Sequence, residues 1–170
     1  MKRIVLTGGG TAGHVTPNLG LIPHLRAAGY EIHYLGTAEG IERELVGNLP
    51  EVTYHTITAG KLRRYLDLKN LSDPFKVVKG AAQAGRLMGK IKPEVVFSKG
   101  GFVSVPVVLG AASHRVPVVL HESDLTPGLA NKLCIPFAKK VLTSFPETAR
   151  QLGDKGVYTG APVRESLLQG

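Results

Sequence analysis

Short apolar runs alternate with segments of helical spacing along most of this 170-residue chain. The runs are of strand length and rich in Val, Ile and Leu, which predicts β-strands buried on both faces. Strands that alternate with helices indicate βαβ units, and hence a parallel sheet. The predicted strands are 3–7, 31–35, 52–57, 94–98, 116–121, 140–143 and 156–159, and the predicted helices are 17–28, 40–46, 74–91, 104–113, 127–137 and 146–152.

The predicted fold is therefore an α/β, Rossmann-like open parallel sheet of about seven strands with helices on both faces. Ligands of such sheets bind outside the carboxyl ends of the strands, where the connecting loops meet. Few residues follow the last predicted strand. We therefore expect this domain to supply one wall of a cleft, with the opposite wall provided by a domain that the chain lacks.

Composition and charge narrow the possibilities. A single cysteine cannot form an internal disulfide, and no apolar run approaches the roughly 18 residues of a membrane span, so we expect a soluble, cytoplasmic protein. The net charge is +8, but residues 61–92 alone hold nine Lys or Arg against two Asp. Cations interleaved with Leu, Tyr and Phe suit an anionic membrane surface, and the alternative is a solvated face that only aids solubility.

The first glycine-rich loop, residues 8–14, lies between the first predicted strand and helix. Glycines allow close backbone approach, and a helix N-terminus offers unpaired N–H groups, so phosphate is the natural ligand. Gly8, Gly10 and Gly13 also satisfy the dinucleotide pattern, but that pattern needs an acidic residue at the end of the second strand, and the first acidic residue after this strand is Glu39. A Walker loop is excluded because no Gly-Lys-Ser/Thr follows. A plain tight turn is the remaining alternative.

His14 closes this loop beside a predicted helix N-terminus, which disfavours a positive charge on the imidazole and favours a neutral ring that can accept a proton. The alternative is a histidine that only orients the loop. A second glycine turn, residues 98–104, repeats the anion-site pattern after the fourth strand. Two such loops on neighbouring strands suit a diphosphate better than a single phosphate.

A third polar cluster, residues 121–128, follows the fifth strand and is expected to face the ligand. His121 and Glu122 are adjacent and match no zinc spacing, so no metal site is predicted. Thr126 and Pro127 fit the cap and first turn of the next helix. The remaining candidates, His33, His55 and His114, lack such context and are expected to be structural or exposed.

These motifs together resemble the bacterial UDP-N-acetylglucosamine transferases that complete lipid II, two-domain enzymes of the GT-B class. The resemblance is carried by GGGTAGHVTPNLGLIPHL, SKGGFVSVPVV, HESDLTPGLANKL and TGAPVR. It implies that residues 1–164 are an N-terminal acceptor-binding domain and that residues 165–170 begin the inter-domain linker. The donor-binding C-terminal domain is absent, so we expect the isolated chain to be inactive.

The resemblance implies inverting transfer of N-acetylglucosamine from UDP-GlcNAc to the 4-hydroxyl of an undecaprenyl-diphosphate-linked muramyl pentapeptide, without a cofactor. His14 matches the proposed base, and Glu122 is a possible further residue of the site. The sequence departs from the family pattern at Ala12 (usually Gly), Phe102 (usually Tyr) and 123–124 (usually Gln-Asn). The implied substrate contacts are Thr11, Ala12, Gly13, Asp124 and Arg164, and the implied contacts to the acceptor diphosphate are Gly9, Gly10, Gly100, Gly101 and Phe102.

Because the acceptor is a lipid, we expect the protein to lie peripherally on the cytoplasmic face of the cell membrane. The expected partner is the anionic inner leaflet, and no nucleic acid is expected to bind. Two other classes remain open. A dinucleotide-dependent oxidoreductase domain would use the first glycine loop, and a non-catalytic lipid-binding module would use the basic segment alone. The residues expected to dock on the membrane are Arg63, Arg64, Leu66, Leu68, Lys69 and Phe75.

Overall fold

A computed structural model describes residues 2–59, 73–125 and 128–160. Of residues 73 and 74 it describes the backbone but not the side chains. Seven parallel strands form one sheet in the order β3-β2-β1-β4-β5-β6-β7, which confirms the predicted fold class. The strands are β1 (Lys2–Thr7), β2 (Tyr30–Gly36), β3 (Val52–Thr56), β4 (Val95–Ser98), β5 (Val118–Glu122), β6 (Lys140–Thr143) and β7 (Gly156–Tyr158).

Helices connect the strands in the predicted alternation. The described helices are α1 (Thr16–Ala27), α2 (Ile41–Val46), α3 (Asp73–Ile91), α4 (Ser104–Ser113), α5 (Leu129–Cys134) and α6 (Pro146–Gln151). Short 3-10 turns cover Ala12–His14, Ile135–Phe137 and Gly153–Lys155. Among the helices that the structure describes, none combines the length and hydropathy needed to cross a membrane.

Most predicted boundaries agree with the structure to within one residue, but two elements differ by two residues or more at an end, each for a local reason. β5 begins at Val118 and not at residue 116, because the amide of Val116 donates to Ala111 O and so closes the end of α4. The helix predicted over 127–137 is the shorter α5, followed by a 3-10 turn that contains Pro136. Proline has no N–H to donate, so the α-helical ladder cannot continue through this position.

Side chains on the two faces of the sheet form two separate cores. Val5, Leu35 and Val96 pack with α3 and α4 on one face. Leu6 and Tyr34 pack with α1 and α2 on the other face, which confirms helices on both sides. Alternate residues of a strand point to opposite faces, so the continuous apolar runs are explained by burial on both sides.

The histidines expected to be structural or exposed are so placed. His33 Nδ1 lies 2.9 Å from His55 Nε2, and the two rings stack with centroids 5.2 Å apart. Burial, followed by the charge of His33, lowers the pKa of His55. His114 is exposed and contacts Ser113 Oγ at 3.1 Å.

Candidate functional site

The strand order places the two glycine loops side by side. β1 lies between β2 and β4, and the chain leaves β1 in one direction before it returns to the other side at β4. This is the topological switch point of the sheet, where the loops diverge and leave a crevice at the carboxyl ends of the strands. The loop after β1 and the loop after β4 therefore border the same crevice.

Direct backbone contact joins the two loops. The amide of Gly9 donates to Gly100 O at 3.2 Å. A Cβ atom built at Gly101 would lie 2.9 Å from the carbonyl carbon of Gly9 and closer still to its oxygen. Gly101 also has a φ of +87°, which a side chain disfavours. Only glycine allows this approach, so the second loop is shaped to fit against the first.

His14 is held by the loop that contains it. Its Nδ1 lies 2.9 Å from Gly9 O. Because a carbonyl oxygen can only accept, Nδ1 carries the proton and Nε2 of the neutral ring is left as a proton acceptor. A Cβ at Gly100 would lie 3.5 Å from His14 Nε2 and 3.6 Å from Asn131 Nδ2. The missing side chain of Gly100 thus leaves space beside the accepting nitrogen.

The other substrate contacts predicted in the two loops differ in their surroundings. Gly10 is exposed and forms no hydrogen bond with the described residues, so its amide is available to a ligand. The amide of Gly9, in contrast, is already used by Gly100. Phe102 is half-buried and packs against the core beside α3 and α4. Three exposed residues form the rim of the first loop: Thr11, Ala12 and Gly13.

Glu122 organises the loop that follows β5. Its Oε1 accepts hydrogen bonds from Gly128 N at 2.7 Å and from Asn131 Nδ2 at 3.3 Å. Its Oε2 accepts from Asp124 N at 3.1 Å. The side chain is buried, and both of its oxygens are engaged within this loop. The geometry therefore favours Glu122 as the residue that shapes the loop on which Asp124 lies exposed.

Two buried polar residues lie beside Glu122: His121, which belongs to the predicted polar cluster, and Asn131, which the sequence did not single out. Asn131 Nδ2 also donates to His121 O at 3.3 Å, while Asn131 Oδ1 has no partner among the described residues. His121 Nε2 contacts Gly160 O at 3.1 Å. Burial, followed by the charge of Lys99, lowers the pKa of His121. The asparagine could have been noticed as a polar residue on the inward face of a short helix.

Glu42 is a second feature that sequence reasoning missed. It is 1% exposed, and its Oε1 accepts hydrogen bonds from Thr37 Oγ1 at 2.7 Å and Thr37 N at 3.2 Å. A Cβ at Gly9 would lie 2.6 Å from Glu42 Cδ, so the first glycine loop rests on this carboxylate. Glu42 and Val46 are four residues apart and share the buried face of α2, which was the available signal.

Several predicted site residues lie outside the described part of the chain. They include Arg164, the proposed cap at Thr126 and Pro127, and most of the basic segment. Of the residues expected to dock on a membrane, the structure describes Phe75 alone. Those outside the described part are Arg63, Arg64, Leu66, Leu68 and Lys69.

Comparison with known proteins places this geometry in a family. The model of the glycosyltransferase family 28 N-terminal domain matches residues 4–143. That span contains both glycine loops and the loop after β5. A protein of Lachnoclostridium phytofermentans is 62% identical over all of this chain and 48% of its own length. It is named UDP-N-acetylglucosamine--N-acetylmuramyl-(pentapeptide) pyrophosphoryl-undecaprenol N-acetylglucosamine transferase.

Solved structures agree with this placement. A crystal structure of MurG from Acinetobacter baumannii superposes with a TM-score of 0.80 at 30% identity, covering 97% of this chain and 46% of that protein. A UDP-GlcNAc 2-epimerase from Methanocaldococcus jannaschii shares the fold, with a TM-score of 0.70 at 15% identity. The match covers 95% of this chain and 46% of that protein. The chain spans about half the length of the curated relatives it matches.

Proposed function

The chain belongs to glycosyltransferase family 28 through its N-terminal domain, and from this premise we propose that it is the acceptor-binding half of an N-acetylglucosamine transferase. The reaction would carry N-acetylglucosamine from UDP-GlcNAc to the 4-hydroxyl of a muramyl pentapeptide linked to undecaprenyl diphosphate. The observation that carries the proposal is the contact between the two glycine loops, with the accepting Nε2 of His14 beside it.

The base chemistry follows from the tautomer of His14. A sugar hydroxyl is a weak nucleophile, and removing its proton as it attacks lowers the barrier. His14 Nε2 would take that proton while the acceptor oxygen bonds to the anomeric carbon and the bond from that carbon to UDP breaks. The carbonyl of Gly9 would then stabilise the protonated ring through Nδ1–H.

The two substrates are assigned to different parts of the crevice. The acceptor diphosphate would contact the loops at Gly9, Gly10, Gly100, Gly101 and Phe102, with the free amide of Gly10 as the best-placed donor. Thr11, Ala12, Gly13, Asp124 and Arg164 would face the donor sugar nucleotide from this side. Residues 1–164 would form the acceptor-binding domain, and the linker would begin at residue 165.

A chimera tests this assignment of halves. We expect a protein that joins this chain to the remaining half of the L. phytofermentans relative to transfer N-acetylglucosamine to a lipid-linked muramyl acceptor. The 170-residue chain alone should give no turnover, because the proposed function places most donor contacts in the other half. Release of UDP and formation of the disaccharide would be measured together, with the intact relative as the positive control. Turnover by the chain alone, or an inactive folded chimera, would contradict the proposal.

The same function places the domain against a membrane, and α3 offers a surface for it. Gly80 packs against Thr58 O, and Gln83 Oε1 accepts from Thr58 N at 2.6 Å, so this part of α3 lies near the carboxyl ends of the strands. Phe75 and Val78 on the preceding turns are 76% and 68% exposed. Exposed cations, Lys76 and Lys79, lie beside them. Apolar and basic side chains together suit the interface of an anionic bilayer.

Charge reversal on α3 should weaken membrane binding. Each basic residue near an anionic surface contributes about 1 kcal/mol, so Lys76→Glu with Lys79→Glu should lower vesicle binding by roughly tenfold or more. Binding would be measured by co-sedimentation with neutral and anionic vesicles at low and high salt. The matched control reverses Lys90 and Lys139, which are exposed and lie towards the amino ends of the strands. A third variant changes Arg63, Arg64 and Lys69 to Glu. Vesicle binding that does not depend on the charge of the lipid would refute this docking surface.

A further inference from the structure

Lys99 is an unusually buried cation for a residue at a strand end. It follows β4 immediately, precedes Gly100 and is only 2% exposed. Its stem packs under the first glycine loop, since a Cβ at Gly8 would lie 3.2 Å from Lys99 Cβ. Lysine is almost never this buried without a partner, because removing an ammonium group from water is costly. The side chain therefore has a role that a surface lysine does not.

The partners of Lys99 lie on the loop after β5. Its Nζ donates a hydrogen bond to Ser123 Oγ. Burial lowers the pKa of Lys99, while the carboxylates of Glu122 and Asp124 oppose that shift. The side chain thus reaches from the second glycine loop across to the loop of the neighbouring strand. It brings one positive charge to a place that holds two negative charges.

The backbone of Asp124 is fixed from two other directions. Its amide donates to Glu122 Oε2 at 3.1 Å, and its carbonyl accepts from Thr148 Oγ1 at 3.2 Å. Thr148 is buried on α6, and its single hydroxyl hydrogen is shared between Asp124 O and Leu125 O, the latter at 2.6 Å. The hydrogen bond from Lys99 to Ser123 is a third tether, one residue before Asp124. Asp124 nevertheless remains exposed, as do its neighbours Ser123 and Leu125.

We propose that Lys99 is a positioning residue that couples the second glycine loop to the loop after β5 and balances the charge of Asp124 where it faces the sugar nucleotide. The contact of Asp124 with substrate rests on the proposed function, whereas the coupling between the two side chains does not. Glu122 would keep its hydrogen bonds without the ammonium group, but the carboxylates of Glu122 and Asp124 would lose the positive charge that they share, and like charges repel. The loop that carries Asp124 would then shift.

Titration of the Lys99 amine in the 170-residue chain tests the coupling without reference to activity. We expect Asp124→Asn to lower the pKa of Lys99, because one of the two carboxylate charges that raise this pKa is removed. The pKa would be measured by nitrogen-15 NMR of Nζ. Asp154→Asn, which changes an exposed carboxylate after α6, is the matched control and should leave the Lys99 signal unchanged. An unchanged pKa in Asp124→Asn would overturn the coupling, whatever the protein catalyses.

A double-mutant cycle in the active two-domain chimera tests the positioning role. Lys99→Met should lower kcat/KM for the nucleotide sugar about tenfold, mainly through KM. In the Asp124→Asn background, Lys99→Met should lower kcat/KM less than threefold, because the negative charge of Asp124 is no longer there to be balanced. Lys99→Gln keeps a donor for Ser123 without the charge and replaces Lys99→Met if that variant does not fold. Ser123→Ala removes the hydrogen bond and leaves every charge in place.

The outcomes separate this inference from the proposed function. Equal losses from Lys99→Met in the two backgrounds, or a loss in Ser123→Ala as large as that in Lys99→Met, would overturn the charge coupling. The surface control Lys132→Met, on the exposed side of α5, should leave kcat/KM unchanged. An inactive wild-type chimera, with the Lys99 amine still shifted by Asp124→Asn, would reject the proposed function and retain the coupling.

Discussion

Replacing His14 with alanine in the two-domain protein is expected to lower kcat by roughly 10²–10⁴-fold, the usual loss when a general base is removed. The fold should persist, because the His14 side chain is half-exposed and makes a single hydrogen bond to the described part of the chain, the contact with Gly9 O. A single hydrogen bond contributes about 1 kcal/mol net, so the melting temperature should fall by only a few degrees. Single-turnover kinetics would separate the chemical step from binding.

Two further variants sharpen this result. His24→Ala changes an exposed histidine on α1, the helix that follows the turn containing His14, and should leave kcat unchanged. His14→Gln can still donate to Gly9 O but accepts a proton poorly, so it should be as slow as His14→Ala. If His14→Gln retained most of the activity, His14 would be a residue that orients the loop, and the attacking hydroxyl would lose its proton elsewhere.

The fold could be predicted from the sequence because burial on two faces leaves a strong signal. A strand such as β5 must be apolar at successive positions, and this distinguishes it from the amphipathic α3. Boundaries were less certain where a local contact decides them. The capping bond from Val116 to Ala111 O and the missing donor of Pro136 moved the ends of β5 and α5.

The site was predicted only in part, since its backbone was more visible than its supporting side chains. Glycines at strand ends indicate the two loops in the sequence, and the parallel topology brings these loops together. Contacts between distant residues leave no such signal. Lys99 and Ser123 follow two neighbouring strands and meet through their side chains, and Glu42 supports Gly9 from α2. Such pairs need the three-dimensional arrangement to be recognised.

The second large effect is expected from Gly101→Ala, because the backbone contact between the two loops leaves no room for a methyl group. The new Cβ would lie within 2.9 Å of the carbonyl carbon of Gly9, which forces the loops apart. A displacement of about 1 Å in a site of this kind can cost 10²-fold, so kcat/KM should fall by at least that factor. The shift would also separate His14 from the space beside Gly100, since Gly9 O holds the imidazole ring.

Gly29→Ala separates this steric effect from backbone strain. Gly29 has a φ of +90°, close to the +87° of Gly101, but a Cβ there meets nothing within 4 Å, and it lies in the turn before β2. A left-handed alanine costs about 1–2 kcal/mol, so both variants should lose at least this much unfolding free energy. Denaturant unfolding and steady-state kinetics on both proteins would measure the difference. Gly29→Ala should keep full activity, whereas equal activity in Gly101→Ala would show that the close approach of the loops is not needed for transfer.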